Sequence, residues 1–372
     1  MLPLILAALP MLSIAQERPR EIGIEIGVMQ PGKENAITDV AGVSVGHLTK
    51  IEGNHIRTGV TAILPHQGNL FQLKTPAAVF VGNGFGKLAG TTQIEELGNI
   101  ESPVILTNTL SVASGIQGII QYSLTQPDNH QVQSVNAVVG ETNDGFLNDI
   151  RGQHITKEDV LIAIASAKTG KVMEGNVGAG TGTVCFGYKG GIGTASRKLP
   201  VGQGGYTVGV LVQTNFGGVL QIDGVPVGEA LNNYAFKNQI ESVDGSCMII
   251  VATDAPVNER NLKRMAQRAM MGLAKTGGIA SNGSGDYVIA FSNTPSNLIP
   301  HQTTAGNLYQ PGYLANDDMS MLFLATIEAT EEAIINSLFA AEEMIGHKGK
   351  ISALPKEQVL EIMKQHNRLK KN

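Results

Sequence analysis

Ser246 is the residue whose position best suits it to act as a nucleophile. It follows a flexible glycine, Gly245, and opens the apolar run SCMIIVATDAP, which predicts a buried strand. The 372-residue sequence contains no G-x-S-x-G turn, no S-x-x-K in a convincing context and no H-E-x-x-H pair. A serine at the start of a chain can use its own α-amine as the base, because the ordinary pKa of that amine is about 7.7–8.0. Cleavage between Gly245 and Ser246 would supply such an amine.

The same junction also has a simpler interpretation. Asp-Gly-Ser before a strand is common in ordinary turns, and spacing alone does not separate the two. Glycine does permit the backbone geometry that attack of the Ser246 hydroxyl on the preceding carbonyl requires. Residues 221–245 have no steady hydrophobic period, so we expect an exposed loop before the junction.

The first half of the chain predicts strands and helices in groups. Its β-branched runs predict neighbouring strands and are EIGIEIGV, TDVAGVSVGHLT, TGVTAILP and AAVFVGNGFG. Residues 102–108 and 111–124 predict a strand and a helix rich in small residues, and 157–167 predict a helix capped by Thr156.

The second half repeats this grouping. Residues 258–277 predict a one-faced helix that Gly277 ends, and 286–293 predict a strand. Residues 318–346 predict a strand followed by a long helix, and 355–372 predict a basic amphipathic helix. Such grouping favours an α/β fold of layered sheets with outer helices over a doubly wound parallel sheet.

Composition and charge restrict the classes of ligand. A formal net charge of -5 argues against nucleic acid and anionic membranes, which would favour a basic face, so we expect small or uncharged ligands. Two cysteines, Cys185 and Cys247, exclude a disulfide scaffold and leave either one bridge or two buried apolar side chains. The 8 histidines show no ligand spacing, so we expect neither a metal nor a cofactor.

The first fifteen residues, MLPLILAALPMLSIA, are typical of a secretory signal peptide. The small-x-small end predicts cleavage after Ala15 and a periplasmic or secreted protein. Because this stretch lacks Lys and Arg, a buried N-terminal segment is the alternative. The stretch is too short to span a membrane, and no other segment is long enough, so we expect no membrane association of the mature chain.

Six motifs extend over nearly the whole mature chain, and they are NAITDVAGVSVGH, VVGETNDGFLNDI, GNVGAGTG, LVQTNFG, GSCMIIVATDAP and SNGSGDYVIAFSN. Together they resemble the L-aminopeptidase D-amidase/esterase and β-peptidyl aminopeptidase family of self-processing serine peptidases. The resemblance implies a four-layer α-β-β-α sandwich, similar to N-terminal nucleophile hydrolases but with distinct connectivity. It also implies an α-subunit of residues 16–245 and a β-subunit of residues 246–372, associated as one joint domain and usually in a homotetramer.

The resemblance also implies a role for individual residues. Ser246 matches the nucleophile, and Ser284 and Asp286 match the hydroxyl and carboxylate that hydrogen-bond around it and its amine. Asn215 matches an asparagine that stabilises the oxyanion, and Glu141 matches the acid that receives the free amine of the substrate.

Three other features have implied or predicted positions. Asn143 occupies a pocket position where some relatives carry an aromatic residue, which leaves acyl-side specificity open. The resemblance places GAGTGT, from Gly178, along the cleft, whereas GNGFGK, from Gly82, lacks the features of a phosphate loop. Adjacent residues of a strand face opposite ways, so Cys247 is predicted to lie in the core and not beside Ser246.

The predicted function is therefore a serine aminopeptidase that removes small L-, D- or β-amino acids from short peptides, amides and esters through an acyl-enzyme. An acyltransferase of the ornithine acetyltransferase type is one alternative, although its family uses a threonine nucleophile. An unprocessed, non-enzymatic binding protein is the other.

Overall fold

A computed structural model describes residues 17–237, 245–302 and 309–370 of the protein. The predicted signal peptide lies outside the described residues. The helices are α1 (Thr91–Leu97), α2 (Val112–Leu124), α3 (Lys157–Ala165), α4 (Val227–Ala230), α5 (Glu259–Lys275), α6 (Ser320–Ala340) and α7 (Lys356–Gln365). The strands are β1 (Ser44–Glu52), β2 (Ile56–Leu64), β3 (Leu73–Gly84), β4 (Leu88–Ala89), β5 (Asn99–Ile100), β6 (Val104–Asn108), β7 (Val138–Thr142), β8 (Val184–Cys185), β9 (Tyr188–Lys189), β10 (Ile192–Lys198), β11 (Thr207–Asn215), β12 (Ser246–Thr253), β13 (Gly285–Ser292), β14 (Ile299–Pro300), β15 (Met344–Gly346) and β16 (Gly349–Ile351).

Two large sheets form the centre of the described structure. The first has the strand order β1-β2-β6-β7-β4, and the second has the order β10-β11-β12-β13-β3-β14, with β5 beside β3. Most neighbours are antiparallel, but β6–β7 and β12–β13 are parallel. The parallel pairs bring the start of β12 beside the start of β13, and the end of β6 beside the end of β7.

The two sheets pack face to face, because the strands of each sheet alternate between two apolar surfaces. On β12, Met248 and Ile250 contact the cluster that contains Leu106 of the first sheet. Cys247 and Ile249 point the other way, into the cluster shared with α5 and α6. Burying both faces explains why this strand is a continuous apolar run.

The first sheet is covered on its other face by α2 and α3, through residues such as Ile119 and Val160. The layer order is therefore helices, first sheet, second sheet, helices. This confirms the predicted α-β-β-α sandwich.

Several helices follow the predicted patterns closely. Thr156 accepts a hydrogen bond from the Asp159 backbone N–H at the start of α3, and Asn258 caps α5 in the same way. Gly277, with a φ of +89°, follows the end of α5. This positive φ favours glycine at the position.

Three sequence predictions about elements are wrong. EIGIEIGV forms no strand: its buried Ile24 and Ile26 contact the core, while the carbonyl oxygen of Ile26 accepts a hydrogen bond from the buried Arg197 side chain. The AAVFVGNGFG run joins the second sheet as β3, not the sheet of β1 and β2. Residues 318–340 contain no strand, because the apolar run belongs to α6. A short apolar run is compatible with a strand or a buried helix, and packing decides between them.

The loop predicted at residues 221–245 is partly wrong as well. Ile222, Val225 and Val227 are buried in the core, and Val227 begins the short helix α4. Their irregular spacing gave no period that would have indicated burial. Residues 238–244 lie outside the described residues.

No helix in the described ranges combines the length and the apolar character that crossing a bilayer requires.

Candidate active site

Ser246 lies where three strands of the second sheet meet. It is the first residue of β12, opposite Asn215 at the end of β11 and beside Gly285 at the start of β13. Its side chain is buried, and the residue is 5% exposed. Both neighbouring strands therefore fix the backbone of the predicted nucleophile.

The Gly245–Ser246 peptide bond has an unusual set of contacts. The Ser246 hydroxyl donates a hydrogen bond of 2.6 Å to the carbonyl oxygen of Gly245. The Gly285 backbone N–H donates to that same carbonyl oxygen at 3.1 Å and to Ser246 Oγ at 3.3 Å. The serine oxygen is thus held against the preceding carbonyl group, with a backbone donor directed at the oxygen where negative charge would develop during attack.

Ser246 opens into a cavity of about 550 Å³. The structure brings five of the sequence-predicted positions into the wall of this cavity, namely Glu141, Asn143, Asn215, Gly245 and Ser246. These residues come from β7, β11 and β12, from the turn after β7 and from the residue before β12, so both sheets contribute to one site.

Asn215 is oriented by a hairpin that packs on the end of β11. Its Oδ1 accepts a hydrogen bond of 2.9 Å from the Val184 backbone N–H. Because the oxygen is occupied there, the two hydrogens of Nδ2 remain for the cavity side. A neutral amide donor in this position is suited to a developing alkoxide.

Glu141 is a buried carboxylate at the end of β7, 2% exposed. Its Oε1 accepts a hydrogen bond of 2.9 Å from the Lys87 backbone N–H, and its Oε2 accepts one from the Thr109 hydroxyl. The Lys87 ammonium lies 3.9 Å from Oε1. A Cβ atom on Gly86 would lie 3.0 Å from the same oxygen, so glycine allows the loop to approach this closely.

Ser284 and Asp286 lie behind the nucleophile and not in the cavity wall. Both are 1% exposed, and within the described ranges neither the Ser284 hydroxyl nor the Asp286 carboxylate has a partner in hydrogen-bonding geometry. Burial raises the pKa of Asp286 to about 6, and the nearby Ser284 hydroxyl and Cys247 backbone partly offset that rise. Both of these neighbours are neutral, and burial still raises the pKa, so the surroundings of Asp286 favour its protonated form.

Three predictions about neighbouring residues can be compared with the structure. Cys247 faces the core, as the strand alternation predicts, and Cys185 is also buried; both are free thiols, so the bridge that the sequence left open is absent. The prediction that GAGTGT lines the cleft is wrong. Residues 178–183 are buried and do not line the cavity, and the Gly178 backbone N–H donates to Thr49 Oγ1 of β1.

Sequence reasoning missed other parts of the cavity. Phe85 and Lys87 come from GNGFGK, the glycine-rich stretch to which we had assigned no role, and Thr109 follows β6. Phe146 and Tyr234 add aromatic surface. The missed signal was the position of GNGFGK, which begins in the last residues of β3 and continues past the end of that strand. Because β3 pairs with β13, the stretch lies near the start of β13, but only the fold shows which strands are neighbours.

Within the described ranges, no group of three or more His, Cys, Asp or Glu side chains is arranged to hold a metal ion.

Comparisons with known proteins identify the family of the chain. The model of peptidase family S58 matches residues 35–352. The chain belongs to peptidase family S58. Residues from β1 to β16 therefore fall within the family match.

Two relatives illustrate the similarity of this S58 chain. It is 40% identical to the β-peptidyl aminopeptidase BapA of Sphingosinicella microcystinivorans over 377 aligned positions, which cover 95% of this chain and 93% of that protein. It is 38% identical to the BapA of Sphingosinicella xenopeptidilytica, with 95% and 92% coverage.

Solved structures of other S58 enzymes share the fold. A β-aminopeptidase from a Burkholderia species superimposes with a TM-score of 0.87 at 40% identity, covering 94% of this chain and 99% of that one. The L-aminopeptidase D-Ala-esterase/amidase of Ochrobactrum anthropi, described as a variant of the Ntn hydrolase fold, gives a TM-score of 0.86 at 35% identity, covering 95% and 99%. The predicted family and fold class are confirmed, and the protein is an aminopeptidase hydrolase. The non-enzymatic alternative is wrong.

Proposed function

We propose that this S58 peptidase cuts its own chain between Gly245 and Ser246, and that Ser246 then acts as an N-terminal nucleophile on short peptides, amides and esters. One observation carries the proposal. In the uncut chain the Ser246 hydroxyl, the Gly245 carbonyl and the Gly285 backbone N–H form a single hydrogen-bonded group.

The cut proceeds through an acyl shift. Ser246 Oγ attacks the carbonyl carbon of Gly245, the C–N bond to Ser246 breaks, and the hydroxyl proton is transferred to the departing nitrogen. The product is an ester between Gly245 and Ser246 Oγ with a free amine on Ser246. Water then hydrolyses the ester, which releases the Gly245 carboxylate and restores the hydroxyl.

The surroundings of Asp286 support the proposal that a new amine forms at Ser246. Within the described ranges neither oxygen of the buried Asp286 carboxylate has a donor in hydrogen-bonding geometry, and the two groups that act on its pKa, the Ser284 hydroxyl and the Cys247 backbone, are neutral. Asp286 is the partner, across the parallel ladder, of the residue next to Ser246. An ammonium formed at Ser246 would supply the missing positive charge, and the carboxylate would orient the amine and tune its pKa. Ser284 provides a hydroxyl that can relay a proton.

The strand order explains why the two fragments would stay together. In the proposed β-subunit, residues 246–372, β12 pairs with β11 and β13 pairs with β3. Both β11 and β3 belong to the proposed α-subunit, residues 16–245. The β-subunit strands are thus inserted between α-subunit strands, and separating the subunits would break two ladders of one sheet.

The mature site would act as an aminopeptidase. Glu141 receives the ammonium of the substrate, Ser246 attacks the first acyl carbon, and Asn215 stabilises the oxyanion. The leaving amine or alcohol departs with a proton from the Ser246 amine, and water hydrolyses the acyl-enzyme. A cavity of about 550 Å³ suits short substrates. The names of the relatives support small L-, D- and β-amino acids as the released residues.

Export and assembly complete the proposal. The leader of residues 1–15 supports a periplasmic or secreted enzyme that begins at Gln16, and the family resemblance supports a homotetramer of processed chains. Mass spectrometry of the large fragment and light scattering of the native enzyme measure these two properties.

The test of self-processing compares Ser246→Ala with Cys247→Ala. We expect the wild type to give two bands on a denaturing gel, the smaller beginning SCMIIV, and Ser246→Ala to give one band and at least about 10⁴-fold lower activity. Cys247→Ala controls for the adjacent thiol, which faces the core, and should still be cut and active. An active wild-type enzyme that stays uncut, or a fully active Ser246→Ala variant, contradicts the proposal.

A further inference from the structure

Lys189 is a fully buried lysine, 0% exposed, beneath the wall of the active site. Within the described ranges, no carboxylate lies within ion-pairing distance of its ammonium. Its Nζ donates instead to two backbone carbonyl oxygens, at 2.9 Å to Gly180 and at 2.6 Å to Gly190. Burying a lysine is costly, so a lysine satisfied by two carbonyls indicates a requirement for those bonds.

The two carbonyl groups lie on either side of the β8–β9 hairpin. Gly180 precedes the hairpin and Gly190 follows it, while the Gly190 backbone N–H donates to the Thr183 carbonyl at 3.1 Å. The lysine side chain therefore joins the chain entering the hairpin to the chain leaving it, from inside the protein.

This hairpin positions Asn215. The Val184 backbone N–H, at the start of β8, donates to Asn215 Oδ1 at 2.9 Å. Two residues further along the chain, the Phe186 backbone N–H donates to the Phe216 carbonyl at 2.7 Å. The orientation of the Asn215 amide thus depends on where Val184 is held.

We propose that Lys189 is a positioning residue for catalysis: by closing the base of the β8–β9 hairpin it fixes Val184, and through Val184 it aims the Asn215 amide at the oxyanion. The inference rests on the proposed function, since it needs Asn215 to act in the chemical step. A displacement of about 1 Å in such a donor is enough to slow a reaction by about 10²-fold.

The two hydrogen bonds from Lys189 to the Gly180 and Gly190 carbonyls do not require the lysine to be charged. Burial lowers the pKa of Lys189 to about 7, and the buried Cys185 and Asp144 offset part of that change. A neutral amine still has two N–H groups, one for each carbonyl. The side chain can therefore hold the hairpin with or without its third proton.

The test uses processed enzyme carrying Lys189→Met, Asn215→Ala or both. Methionine fills a similar volume but donates no hydrogen bond, so the Gly190 carbonyl loses its lysine contact. Gly180 keeps a bond of 3.0 Å from the Thr183 hydroxyl. We expect kcat to fall about 10- to 100-fold in Lys189→Met, with KM within about twofold, because the ground-state contacts remain.

The double variant separates positioning from general stability. If Lys189 acts through Asn215, adding Lys189→Met to Asn215→Ala lowers kcat by no more than about threefold further. Lys50→Met is the matched control. The Lys50 ammonium also makes two hydrogen bonds, each 2.8 Å, to the His154 carbonyl and to Asp159, outside the cavity wall. It should lower stability and leave kcat unchanged.

Each outcome decides the question. Full kcat in folded Lys189→Met, or additive losses in the double variant, overturns the positioning role. Full kcat in Asn215→Ala overturns the proposed oxyanion role instead, so the two failures are distinguishable. If Lys189→Met does not fold, Lys189→Gln, which keeps an amide donor, takes its place and should show a smaller loss of kcat with the same non-additivity.

Discussion

Glu141 and Asp286 are two buried carboxylates of one active site with opposite surroundings. Glu141 ends a strand of the first sheet, and both of its oxygens accept hydrogen bonds, from the Lys87 backbone and the Thr109 hydroxyl. Asp286 begins a strand of the second sheet, and within the described ranges neither of its oxygens has a donor in hydrogen-bonding geometry. Burial raises the pKa of Asp286 to about 6.

The difference indicates when each group becomes functional. A carboxylate with two donors is held in place before any substrate arrives, so under the proposed function Glu141 would be ready to receive a substrate ammonium in the uncut chain. Under the same proposal Asp286 would gain a cationic partner only when self-cleavage frees the Ser246 amine. If the chain cuts itself as proposed, one site would contain a carboxylate that is already held in place and a carboxylate that gains its partner only on cleavage.

Among the changes that compare the two carboxylates, the largest effect should come from Glu141→Gln. Removing the charge that pairs with the substrate ammonium should lower kcat/KM for dipeptides with a free amine by about 10²- to 10³-fold, as for other buried pairs that lose one partner. Processing should continue, since Glu141 makes no contact with the Gly245–Ser246 bond.

Kinetics on free and N-acetylated dipeptides, together with a gel of the processed fragments, measure both effects. Glu101→Gln is the control, because Glu101 is also buried and accepts hydrogen bonds from Lys74 and from the Asn136 backbone, outside the cavity wall. Unchanged kcat/KM in Glu141→Gln would show that Glu141 does not bind the substrate ammonium, and the proposed difference in role between Glu141 and Asp286 would be wrong.

A smaller effect, on the free energy of unfolding, is expected for Asp286→Asn in the uncut Ser246→Ala chain. The folded-state pKa of Asp286, about 6, lies above the ordinary value of 3.8, so the folded chain binds the proton more tightly than the unfolded chain. The free energy of unfolding should fall as pH rises from about 4 to about 6 and stay lower above that range. The asparagine substitution would abolish this fall and raise stability at pH 8 by on the order of 3 kcal/mol.

Denaturant unfolding of the uncut chain with and without Asp286→Asn, between pH 4 and pH 8, measures whether the substitution raises or lowers the free energy of unfolding. Destabilisation by the asparagine at pH 8 would show that Asp286 already has a favourable charge partner before cleavage. In the cut enzyme the same substitution should lower kcat/KM, because the Ser246 ammonium loses its counter-ion.

Thr109→Val should weaken the preorganisation of Glu141 without removing its charge. The variant loses one of the two donors and keeps the Lys87 backbone N–H, so KM for free-amine dipeptides should rise about three- to tenfold. Steady-state kinetics measure this rise in KM. Thr125→Val, at the end of α2, is the control. A change in processing rate with no change in KM would show that Thr109 acts in self-cleavage, as proposed for Asp286, and not in substrate binding through Glu141.

The smallest effect should come from Lys87→Met. The ammonium of Lys87 lies 3.9 Å from Glu141 and its side chain is 58% exposed, so solvent screens the pair. Removing this competing cation should lower KM by no more than about twofold and reduce the salt dependence of KM. A large rise in KM would mean that Lys87 binds substrate directly.

The sequence was informative wherever a side chain carries the signal. The apolar run after Gly245 located β12, the spacing of Leu262, Met265 and Leu273 located α5, and the six motifs identified the family. It failed at Ile24 and Ile26, which are buried without strand partners, and at GAGTGT, whose glycines serve packing instead of the cleft. Local pattern does not encode which distant segment covers a residue.

By itself, the sequence determined that Ser246 opens a buried strand after a glycine and that the fold layers sheets with helices. Only the tertiary structure placed β12 beside β11 and β13. It put the backbone N–H groups of Lys87, Val184 and Gly285 on Glu141, Asn215 and the Gly245 carbonyl. In the part of the chain that it describes, it left the Asp286 carboxylate without a donor in hydrogen-bonding geometry. The reason is that every residue except proline has a backbone N–H, so no residue type in the sequence marks which of these donors will form a site. It exists only when the sheet aligns them.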